Sequence, residues 1–186
     1  MTDTGKANDL LTQIPKSKGL PPVHLWNPDF CGDIDMRIAR DGTWYYQGTP
    51  INRKPMVRLF STIMRRDEDR YFLVTPVEKV GIQVDDAPFV AVSLVVEGEG
   101  EAQVLRFTTN VEDQAEAGPA HLIRVVTDLQ TQEPAPYLQV RGNLEALIHR
   151  NVFYQLVELA VSRELDGQRW LGVWSHGVFF PLGLEP

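Results

Sequence analysis

The chain has 186 residues, enough for one ample core or two smaller ones. Its 18 basic and 25 acidic side chains leave a net charge of −7, which argues against a broad, sequence-independent grip on nucleic acid or an anionic membrane. A single cysteine, Cys31, rules out an internal disulfide and fits a reducing, cytoplasmic setting, and no apolar run approaches the roughly 18 residues that would span a bilayer.

Residues 1–20 lack the long apolar core and small-residue cleavage pattern of a signal peptide, and read as a flexible polar leader. Pro21 to Asp33 is too rich in proline for a helix. Met36 to Ala39, Asp41-Gly42 and Trp44 to Tyr46 then read as strand, hairpin turn and strand, since Asp-Gly supplies the positive φ of a tight turn. Met56, Leu59, Phe60, Ile63 and Met64 share one helical face, which predicts a helix from about Arg53 to Arg66 with Asn52 as N-cap. Tyr71 to Thr75 follows as a buried strand. Val80 to Val84, Phe89 to Val96 and Ala102 to Thr108 suggest a meander, His121 to Val126 and Tyr137 to Arg141 two more strands, and Gly142-Asn143 the entry to a second helix at about 144–164. Arg169 to Trp174 and Val178 to Phe180 are the last strands.

Sliding Arg53 onto Arg150, an offset of 97, places the first helix's apolar residues on Phe153, Leu156, Val157, Ala160 and Val161. The same alignment sets Arg66-Asp67 against Arg163-Glu164. After a two-residue insertion, Arg70-Tyr71-Phe72 meets Arg169-Trp170-Leu171. An α+β fold follows, with two helix-and-antiparallel-sheet units related by internal duplication: residues 21–80, and a larger β-rich unit at 81–186.

The run WNPDFCGDIDMRIARDGTWYYQGTPINR, continuing through MVRLFSTI to YFLVTPVEKVGIQVDDAPF, resembles the bacterial family called domain of unknown function 1285, DUF1285. That resemblance implies a duplicated core motif and a C-terminal half superficially like a pleckstrin-homology domain. It also implies a site between the two units for a nucleotide-like ligand and a place in signal transduction.

Side chains with catalytic potential do not form a recognisable set. His24, His121, His149 and His176 lack metal-ligand spacing, so neither a metal nor another cofactor is expected. The charge pattern is more informative. Arg65, Arg66 and Arg163 fall at expected helix ends, where cations suit the macrodipole; Arg53, Lys54 and Arg58 crowd the N-terminal half of the first expected helix, where they oppose it, and His149 and Arg150 lie in the early part of the second. A bound anion would reverse that sign. The reading is therefore a non-enzymatic binding or regulatory module, taking an anionic, nucleotide-like small molecule in the cleft between its units. Arg53, Arg58, Arg141 and Arg150 are the candidate anion ligands, and Trp44 is a candidate stacking surface. The alternatives are a metal-dependent hydrolase using Asp33 and Asp35 or Asp85 and Asp86, and a protein-interaction adaptor whose strand edges accept a peptide.

Overall fold

The computed structural model describes residues 4–16 and 18–186, in two compact units, Met1–Asp86 and Ala87–Pro186. Among the described residues, no helix is long and apolar enough to cross a membrane.

The first unit is a six-stranded mixed sheet with two helices. Helix α1 (Thr4–Gln13) occupies much of the stretch expected to be a flexible leader; the rest of that expectation at residues 1–3 and 17 lies outside the described residues. Leu10 is fully buried, Lys6 is paired with Glu78, and Gln13 donates to Glu78 at 3.0 Å and accepts from Thr75 at 2.8 Å. A few apolar residues and a well-placed amide thus dock a segment that is polar on average. Strand β1 (Phe30–Ile38) turns through Asp41-Gly42 into β2 (Trp44–Tyr46) and β3 (Thr49–Pro50). Gly42 has φ 91°, the left-handed geometry expected there, and Thr43 N–H donates to the Asp41 carboxylate at 2.9 Å.

Helix α2 (Lys54–Thr62) is shorter than predicted. Arg53, not Asn52, is its N-cap, and the Ser61 and Thr62 hydroxyls donate back to the Arg58 and Leu59 carbonyls, each at 2.6 Å, in the last turn. The chain leaves the helix as strand β4 (Met64–Asp67) and returns as β5 (Arg70–Val74) and β6 (Lys79–Val84). Arg65 and Arg66 are therefore strand residues, not helix-end cations. Arg65 holds Asp67 and the carbonyls of Val23 and Trp26, tying the proline-rich segment to the sheet. The order is β3-β2-β1-β6-β5-β4, with β1 and β6 parallel and all other neighbours antiparallel. Trp44, Phe60, Ile63, Met64 and Leu73 are buried in this unit, each contributing about 1.5–3 kcal/mol.

The second unit opens with strands β7 (Phe89–Glu97), β8 (Val104–Thr109) and β9 (Gln114–Glu116), so the expected meander from Val80 is broken: β6 belongs to the first sheet. Strands β10 (Ile123–Thr127), β11 (Pro134–Arg141) and β12 (Leu144–Ile148) complete a second mixed sheet, ordered β10-β11-β12-β7-β8-β9, with β12 and β7 parallel. The long second helix is replaced by β12, a nine-residue helix α3 (Arg150–Glu158) and strand β13 (Val161–Leu165). Leu144, Ala146 and Ile148 are buried in alternation, a strand pattern that the adjacent Leu147 had made look helical. Arg163 is likewise on a strand, with its guanidinium 4.9 Å from the Trp174 ring centroid. Strands β14 (Gln168–Ser175) and β15 (Val178–Leu184) form a separate sheet with β13.

The duplication is present and larger than the sequence suggested. Three-stranded meander, helix, three-stranded meander describes β1-β2-β3, α2, β4-β5-β6 and again β10-β11-β12, α3, β13-β14-β15. The copies differ at one join. In the first unit β1 pairs with β6 and closes one sheet, whereas their counterparts β10 and β15 lie side by side without joining one ladder.

Candidate functional site

Two of the four predicted anion ligands lie in each unit. Arg53 is exposed at the N-cap of α2 and Arg58 is exposed on the same helix. Arg150 is exposed as the first residue of α3, whose N-cap is His149; the His149 Nδ1 accepts from Asn151 N–H at 3.2 Å. Neither helix carries an acidic residue in its first turn. Most other arginines engage carboxylates: Arg37 holds Asp85, Arg106 holds Glu97 and Glu116, and Arg124 holds Glu145. Arg53 and Arg150, which the 97-residue offset aligns, contact no carboxylate among the described residues.

Arg141 and Trp44 have different surroundings. The Arg141 side chain is 18% exposed, 3.5 Å from Asp113, with its guanidinium 5.2 Å from the Phe89 ring centroid. Burial pushes its pKa down and Asp113 pulls it back up; an arginine stays charged under such opposing influences. Trp44 is 1% exposed and its ring is stacked on Phe60, 6.3 Å between centroids. A ring so enclosed is a core element, and stacking on a ligand is assigned elsewhere or nowhere. Three of the four carboxylates of the hydrolase alternative lie against arginines: Asp33 is held by Arg70, Asp85 by Arg37, and Asp86 lies 3.7 Å from Arg40. No group of three or more His, Cys, Asp or Glu among the described residues is arranged to hold a metal.

Sequence reasoning missed a second constellation. An open pocket of about 320 Å³ in the second unit is lined by Gln114, Glu116, Gly118, His121 and His176, with Ala115, Pro119 and Ala120. Its two histidines each lie two residues before a strand, His121 before β10 and His176 before β15, the strands that fail to close a common sheet. His176 occupies the tight turn of the β14–β15 hairpin with φ 47°, followed by Gly177 at φ 73°. Its Nε2 donates to Glu116 at 2.5 Å, and Arg106 donates to the other Glu116 oxygen at 2.8 Å. His176 and Arg106 together hold the Glu116 carboxyl below the usual carboxylate range. Across the pocket lining, His121 Nδ1 donates to the Gln139 carbonyl at 3.0 Å. The only local signal for this cluster was the Ser-His-Gly turn; His176 and Glu116 are 60 residues apart and the fold alone brings them together.

With that geometry in view, the chain can be set beside known proteins. Residues 21–87 match the model described as domain of unknown function (DUF1285), N-terminal domain. Residues 88–182 match that of the protein of unknown function (DUF1285), C-terminal domain. A crystal structure of a DUF1285 family protein from Silicibacter pomeroyi DSS-3 is similar over 96% of this chain and 94% of its own, at 61% identity and a TM-score of 0.87. Another, from Shewanella baltica OS155, is similar over 67% of this chain and 91% of its own, at 26% identity and a TM-score of 0.53. No curated protein matches the chain.

Proposed function

Because the chain belongs to the DUF1285 family, and the resemblance that led there implied a nucleotide-like ligand, we propose that it is a non-catalytic module that binds a small anionic, nucleotide-like molecule in signal transduction. One observation carries this reading: the duplicated helices each begin at an exposed arginine, Arg53 or Arg150, that no carboxylate neutralises among the described residues. A cation at a helix start costs about 0.3–1 kcal/mol against the macrodipole, and a phosphate or carboxylate bound there would make the same charge favourable. Arg58 adds positive charge four residues into α2, whereas Arg141, held by Asp113, has a structural role.

The test is a thermal-shift and calorimetric screen of mono-, di- and cyclic nucleotides, with and without magnesium, on the wild type and on Arg53→Ala and Arg150→Ala. A phosphate-bearing nucleotide is expected to raise the Tm of the wild type more than that of either variant. Equal shifts in all three proteins, or none, would sink the proposal.

A further inference from the structure

None of the four candidate anion ligands is in the lining of the second unit's pocket. It occurs where the two copies of the duplicated motif diverge: β1 and β6 seal one sheet in the first copy, and β10 and β15 do not in the second. Its lining sets three ionisable side chains, Glu116, His121 and His176, and the amide of Gln114 among the small residues Ala115, Gly118, Pro119 and Ala120. Gly118 belongs to that lining, and a Cβ added there would sit 3.1 Å from the His176 Cβ, so the absence of a side chain gives the imidazole its place.

The hydrogen bonds fix the chemistry the lining offers. An ionised carboxylate can only accept, so His176 carries its proton on Nε2; a carbonyl can only accept, so His121 carries its proton on Nδ1. His176 Nδ1 and His121 Nε2 make no hydrogen bond among the described residues and in the neutral rings are acceptors. The charged groups connected to the pocket are Glu116 on β9, Arg106 on β8 and Glu97 on β7, linked as Glu97–Arg106–Glu116–His176. With both rings neutral these sum to one negative charge. Two acceptors beside a carboxylate complement a positive, donor-rich ligand and repel an anion.

We propose that this pocket binds a small organic cation carrying several N–H donors, a guanidinium or primary ammonium group, at the imidazoles of His121 and His176 beside the Glu116 carboxylate. Ethylguanidinium is the probe, followed through the ring-nitrogen NMR signals of the two histidines in the full chain, with urea and inorganic phosphate as neutral and anionic comparisons.

Saturable shifts of both rings by ethylguanidinium are expected, with affinity falling about tenfold or more in Glu116→Gln. His176→Asn provides an independent check because asparagine tolerates the positive φ of that turn; it too should weaken binding. Shifts that fail to saturate, equal shifts with urea, or tighter binding of phosphate than of ethylguanidinium would overturn the proposal.

Discussion

Single side chains carry the sharpest contrasts between copies and roles. Trp44 has an indole N–H that is buried without a hydrogen-bond partner among the described residues, so its size stabilises and its polar atom does not. Trp44→Ala is expected to cost about 3–5 kcal/mol and Trp44→Phe distinctly less, below about 2 kcal/mol, in chemical denaturation. Arg141 gives a different expectation. Removing it as Arg141→Met leaves the half-buried Asp113 without its cation and should cost about 3 kcal/mol, whereas adding Asp113→Asn to that variant should recover a large part. A double-mutant cycle measures both, and strict additivity would show that the two side chains are not coupled.

At the scale of elements, α3 has an unusual cap. An imidazole nitrogen accepts the Asn151 N–H where an oxygen is usual, and no acid follows in the first turn. His149→Asp supplies a carboxylate to both the N–H and the dipole, and should raise stability by about 0.5–1 kcal/mol in thermal unfolding. The same region shows why some of the fold was readable and some not. Asp41-Gly42 marked its hairpin because the backbone there demands φ > 0, and the core face of α2 was legible in Met56, Phe60 and Ile63. Leu144, Leu147 and Ile148 fit a helix and a strand equally well, so β12 was absorbed into a helix that starts only at Arg150. The arginines inside β4 and β13 look like helix-end cations for the same reason. Arg53 and Arg150 are legible in the charge pattern of the expected helices and in the 97-residue offset, but the His176–Glu116 pair depends on a tertiary contact that no local pattern encodes.

For the whole molecule, acidity is the variable on which paired carboxylates act together. The guanidinium of Arg65, then the ammonium of Lys79, hold Asp67 below its ordinary pKa, and Lys6, then Gln13, do the same for Glu78. Folded values below unfolded ones mean that these pairs stabilise fully at neutral pH and lose that contribution as pH falls below about 4, through the folded values. Urea midpoints should therefore drop along this acid limb, and Asp67→Asn should flatten it while lowering the neutral plateau; an unchanged acid slope would remove Asp67 from the account. The unequal closure of the two copies has a further consequence in amide exchange with solvent deuterium. Strand β6 has a hydrogen-bonded neighbour on each side, whereas its duplicate β15 is an edge strand with β14 as its sole ladder partner. Backbone amides along β6 should outlast those of β15 by a wide margin, so that two segments of common ancestry keep time on different clocks within one chain.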